Sequence, residues 1–160
     1  MADPTAPAPR IFLVVVDESE EMPVALRYAA LRARRTGGRV ALLYVIEPSD
    51  HQQWMAVESL MREERRQEAE QLLQKLSQEV LDLAGTLPVV YIREGRRRDE
   101  LLALIDEESS ISILVLAAST GPKGPGPLIT ALTGKLTARL RVPVTIVPGN
   151  LTDEKLAAIT

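Results

Sequence analysis

The chain reads as an α/β domain in three layers, a parallel five-stranded sheet with helices on both faces. Three observations carry that expectation. Short, nearly uniform apolar runs alternate with longer amphipathic stretches from end to end, in the order β-α-β-α-β-α-β-α-β. Strands that are apolar on both faces belong between two helical layers, and the alternation supplies the right-handed crossovers that parallel strands need. Residue usage agrees: 46% is hydrophobic and only 3% aromatic, so Val, Leu, Ile and Ala must build the core. At 160 residues the chain is long enough to bury that core as one domain.

Each element has its own signal. Residues 1–9 (MADPTAPAP) are small and proline-rich, the composition of a loose tail. Ile11–Val16 is a continuous apolar run ending at Asp17, the pattern of a doubly buried strand. From Met22 to Thr36, Val24, Leu26, Tyr28, Ala29 and Leu31 alternate with arginines as a helix does, and Gly37-Gly38 supplies a left-handed stop. A second strand covers 39–47, closed by Pro48-Ser49-Asp50. A long helix is expected over 53–83. Trp54, Val57 and Met61 mark its early face, and Leu72, Leu73, Leu76, Val80 and Leu83 its later one. The charged stretch 62–68 (REERRQE) reads as a solvated crest with i,i+4 ion pairs. A third strand spans 88–94 and stops at Gly95, and a short helix spans 99–108 on Leu101, Leu102, Leu104 and Ile105. The fourth strand is expected over 111–117, a fourth helix over 128–140, and a last strand from Val142 to Val147. Residues 150–160 form a short extra helix with Thr152 as its cap.

Bulk properties remove several functions. A net charge of −3 gives no reason to expect a nucleic-acid backbone as partner. The absence of cysteine excludes disulfides, thiolate catalysis and cysteine metal sites. No run reaches the roughly 18 apolar residues of a membrane span, and no signal-peptide core opens the sequence, so the expected location is the cytoplasm. A dinucleotide fold would carry G-x-G-x-x-G after the first strand, where Asp17 to Met22 contain no glycine. A Walker A loop fails because Leu136 follows Gly134-Lys135 and Ile129 takes the first glycine position. The single histidine, His51, lies in a polar loop, which disfavours a hydrolytic triad and a zinc site alike. No residue stands out as a base to activate water, so no catalytic residue is assigned, and turnover is expected to be slow or absent.

In parallel sheets, ligands sit beyond the carboxyl ends of the strands where strand order reverses. The richest such segment follows the fourth strand: Gly121, Gly124 and Gly134 have the spacing G-x2-G-x9-G. A glycine-rich loop running into a helix brings backbone N–H groups up to a phosphate. That loop, the strand ending Val16-Asp17 with Ser19 after it, the second strand LLYVIEP and the closing RVPVTIVP together resemble a universal stress protein domain, over 10–149.

The resemblance implies an adenine-nucleotide-alpha-hydrolase-like fold with strand order 3-2-1-4-5. It implies a regulatory protein of the stress response that binds ATP (or AMP or ADP), possibly with Mg²⁺, and dimerises through its last strand. The site it implies is Asp17 for a ribose hydroxyl or a Mg²⁺-bound water, the Val45 backbone for the adenine edge, and Ala118, Gly121 and Gly124 beside the phosphates. Gly134 and Lys135 would lie against the outer phosphates. Two departures stand out. Ala118 takes the place of the family's first glycine, and Lys135 replaces the usual Ser or Thr. Pro122, Pro125 and Pro127 also remove N–H donors from the loop.

Plainer readings stand beside each site. Asp17 caps the first helix or an Asp-x-Ser turn. Gly134 permits close helix–sheet packing, and Ser119 and Thr120 either donate hydroxyls to a phosphate or cap the turn after the fourth strand. Arg96, Arg97 and Arg98 either attract phosphates or form a solvated basic first turn. The rival function is a dimeric interaction module of the same fold that binds no nucleotide, and a weaker third is an enzyme that turns one over.

Overall fold

The computed structural model describes residues 5, 7–48 and 55–160. Most of the proline-rich tail, His51, Trp54 and the expected start of the long helix at Gln53 lie outside them. Five strands, β1 (Ile11–Val16), β2 (Arg39–Ile46), β3 (Val89–Glu94), β4 (Ile111–Ala118) and β5 (Val144–Pro148), form one sheet in the order β3-β2-β1-β4-β5. All four pairings are parallel. The helices are α1 (Met22–Thr36), α2 (Met55–Ala84), α3 (Arg97–Glu107), α4 (Pro127–Thr133) and α5 (Asp153–Ile159), with a 3-10 turn at Thr137–Arg139.

The pleat of β1 divides the core in two. Phe12, Val14 and Val16 pack with α1, with Leu73, Leu76 and Val80 of α2, and with Leu156 of α5. Leu13 and Val15 point the other way, onto Leu101, Leu102, Leu104 and Ile105 of α3 and Ile129 and Leu132 of α4. Period-two alternation on a uniformly apolar strand thus builds two cores with one strand. Alanines at 25, 29, 30 and 33 let α1 lie close to the sheet. At the foot of β4 the register slips: Ile11 faces Ile111 while Phe12 faces Ile113. Ser112 fills the slip, its Oγ accepting the Ile11 N–H at 3.1 Å.

Two boundaries correct the sequence reading. The helix expected over 128–140 ends at Thr133, and a short 3-10 turn follows. Gly134 is the break, with φ −110° and ψ −113°. Leu128, Leu132, Leu136 and Leu140 keep a four-residue spacing through it, so periodicity alone could not reveal the break. The last strand begins at Val144 rather than Val142, because Pro143 has no N–H to give a ladder. Val142 is instead buried against the α3 and α4 side. The predicted stops hold: Gly37 adopts φ +69° and its N–H returns to the Ala33 carbonyl, and the Thr152 hydroxyl accepts from the Lys155 N–H at 3.2 Å.

Candidate functional site

The sheet turns back on itself between β1 and β4, since β1 leads to β2 on one side and β3 crosses over to β4 on the other. At the carboxyl ends of these two strands a cleft of about 410 Å³ opens. Asp17, Ser19, Tyr44, Arg97, Gly126 and Ile129 are among the residues lining it. Its size falls within the roughly 300–1,000 Å³ typical of small-molecule pockets.

Asp17 reaches the cleft because β1 ends there and α1 does not begin until Met22. Its Oδ1 accepts the Ser19 N–H at 2.9 Å and also the Ser19 hydroxyl. This is the Asp-x-Ser turn, and it fixes the carboxylate; both bonds end on Oδ1, which leaves the acceptor capacity of Oδ2 for another partner. Val45 is buried and does not line the cleft, but its backbone environment is informative. The last β1–β2 pair is Val16 with Tyr44, whereas β2 and β3 stay paired to Ile46 and Glu94. Past Tyr44, β2 therefore has no β1 residue beside it.

The loop after β4 is folded upon itself. The Ser119 N–H donates to the Pro125 carbonyl at 3.1 Å and the Gly124 N–H to the Gly121 carbonyl at 3.3 Å. The Gly121 N–H donates to the Ser119 hydroxyl at 3.3 Å. Both glycine amides expected beside the phosphates, those of Gly121 and Gly124, are thus engaged within the loop, as is that of Ser119. Ala118, at the end of β4, pairs with Pro148, and its carbonyl accepts the Gly149 N–H at 2.8 Å. Gly124 lines a shallower depression with Ser119, Lys123 and Thr130, which shares Gly126 and Pro127 with the main cleft. Gly126 has φ +117°, a backbone conformation that favours glycine, and it turns the loop into α4. Gly134 and Lys135 sit exposed at the far end of α4, outside the cleft lining. A Cβ at Gly134 would stand 3.0 Å from the Thr130 carbonyl, within the last turn of α4 itself.

Tyr44 lines the cleft without having been placed there from sequence, whereas Ser19, Arg97 and Gly126 lie in the segments after β1, β3 and β4 where a ligand was expected. Arg97 is the first residue of α3, and its guanidinium lies 3.6 Å from the Glu47 carboxylate at the end of β2. Arg62 and Arg65 also depart from expectation. Arg62 meets Glu94 at 3.6 Å, and Arg65 donates to the Glu47 carbonyl at 3.0 Å. The charged crest of α2 therefore braces the ends of β2 and β3, although Arg66–Glu70 is the i,i+4 pair expected there. Among the described residues, no group of three or more His, Asp or Glu is placed to hold a metal ion. No helix among them is long and apolar enough to cross a membrane.

A parallel α/β sheet of this order, with a cleft at its reversal point, has the architecture of the adenine-nucleotide-alpha-hydrolase-like proteins. Within that class the chain belongs to the universal stress protein family, whose pattern matches residues 9–148. Among solved structures it is similar to a universal stress protein from Lactobacillus plantarum, with 19% identity and a TM-score of 0.71 over 89% of this chain and 99% of that one. It is also similar to a universal stress protein in complex with cAMP (18% identity, TM-score 0.56, 90% of this chain and 100% of that one). A third, from Archaeoglobus fulgidus in complex with dAMP, shows 17% identity and a TM-score of 0.57 over 87% of this chain and 97% of that one. Comparison with curated proteins finds no match.

Proposed function

We propose that the chain binds an adenine nucleotide in the cleft between β1 and β4, ATP in the first instance, and works as a dimeric regulator in a stress response. The observation that carries this reading is the cleft itself: it sits at the strand-order reversal, and Asp17 is fixed at its wall by Ser19. The Oδ2 of Asp17 would accept from a ribose hydroxyl or from a Mg²⁺-bound water. The β1-facing edge of β2 beyond Tyr44 would offer the backbone of Val45 to the adenine. Phosphates would run along Ala118, Gly126 and Gly124, with the outermost of a triphosphate reaching for Gly134 and Lys135. Two similar proteins are in complex with cAMP and with dAMP, which supports an adenine nucleotide as the ligand class.

A second reading keeps the fold and the dimer but no nucleotide. It is favoured by the loop amides at Ser119, Gly121 and Gly124, which are spent inside the loop. Calorimetric titration with AMP, ADP and ATP, with and without Mg²⁺, separates the two. Micromolar binding, weakened about tenfold by Asp17→Ala, is the expected result, since one bond to a charged acceptor is worth about 1.5–3 kcal/mol. No heat from folded, nucleotide-free protein would establish the second reading. Unchanged affinity in Asp17→Ala would remove that residue from the site.

A further inference from the structure

We propose that Arg97 is the anion contact of the cleft and recognises a phosphate of the bound nucleotide; this rests on the nucleotide reading above. Arg97 is the one Lys or Arg among the residues lining the cleft. Three carboxylates, Asp17, Glu18 and Glu21, line the same space. An anionic ligand entering it meets these carboxylates, and the one cation among the lining residues decides whether it stays.

The state of the guanidinium fits that task. Its Nε is buried and has no hydrogen-bond partner. Its one ion pair among the described residues, from Nη2 to Glu47 Oε1, is 3.6 Å long, beyond hydrogen-bond range. Arg27 is the useful contrast: its Nε also lacks a hydrogen bond, but the Asp153 carboxylate stands 3.3 Å away. Among the described residues, no carboxylate is paired with the Nε of Arg97. Glu47 thus tethers one end of a rigid, planar fork whose remaining donors are available, the geometry that suits a phosphate. Helical stepping explains why one arginine of three does this. Arg96 and Arg98 are exposed, and Arg98 lies 3.9 Å from Asp99.

The test is a titration of adenosine and AMP into the wild-type chain, Arg97→Gln and Arg97→Lys, at two ionic strengths, with circular dichroism to confirm folding. Arg97→Gln is expected to weaken AMP about tenfold or more and to leave adenosine unchanged, as loss of a charge-assisted contact requires. Arg97→Lys is expected to recover part of the loss, and the wild-type affinity for AMP should fall with salt while that of Arg97→Gln does not. Equal affinity of wild type and Arg97→Gln for AMP overturns the assignment, as does an equal loss for AMP and adenosine. A wild-type chain that binds neither overturns the nucleotide reading itself, and Arg97's role with it.

Discussion

Arg141 shows how much one side chain can hold together. Its guanidinium donates to the Ile105 carbonyl at 3.0 and 2.6 Å, to that of Glu108 at 3.0 Å and to that of Ile111 at 3.3 Å. These carbonyls lie at the end of α3, in the turn after it and at the start of β4, so one cation caps a helix and clamps the turn into the strand that leads to the site. Arg141→Ala should lower stability by about 1–2 kcal/mol, the low end for charged hydrogen bonds because the side chain is largely exposed. Urea denaturation measures this, and nucleotide affinity should not change, because Arg141 is not among the residues lining the cleft between β1 and β4. Asp17 is a residue-scale contrast. Its place was legible because an acid directly after a doubly buried strand must lie at the sheet's carboxyl edge. Arg97 was not legible in the same way. Three consecutive arginines look alike in sequence, and only the helix phase and the Glu47 contact single one out.

At the scale of elements, the strands were the clearest part of the sequence, because a strand buried on both faces must be apolar throughout. Helix ends were harder to read. Gly134 breaks α4 while the leucine spacing runs on, and α3 begins at Arg97, two residues before the first acid of its opening turn. The contact between β3 and α3 is a further element-scale feature that depends on tertiary placement. Arg93 of β3 pairs with Glu100 at 3.7 Å and with Glu107. The hydrogen bond from Arg93 holds the Glu107 carboxyl below its ordinary value of 4.5. A carboxyl lowered in the folded state stabilises fully above its unfolded pKa, and that contribution is lost as pH falls through the folded one. Glu107→Gln should therefore shift the urea midpoint slightly at pH 7, and the two proteins should converge in acid. A difference that persists below the carboxylate range would assign the effect to packing instead.

For the whole molecule, the open edges of the sheet are the feature that bears on assembly. Order β3-β2-β1-β4-β5 leaves two edges. The β3 edge ends in Arg93 and Glu94, both in ion pairs, and charge there discourages strand addition. The β5 edge reads VTIVP, with no charge, and Ile146 is 42% exposed. An uncharged edge strand is a template for another strand, and a twofold copy of itself satisfies it in a closed pair rather than an open fibre. Dimerisation through β5 is therefore the expected assembly. Ile146→Glu places like charges near the axis and buries them without partners, so it should weaken the dimer at least a hundredfold, and Val144→Glu should act in the same direction. Light scattering after size exclusion would read this as a halved mass, with circular dichroism unchanged because Ile146 already faces outward. An unchanged dimer mass would move the interface elsewhere, and a monomeric wild type would leave Pro143 and the short span of β5 as the edge's whole protection.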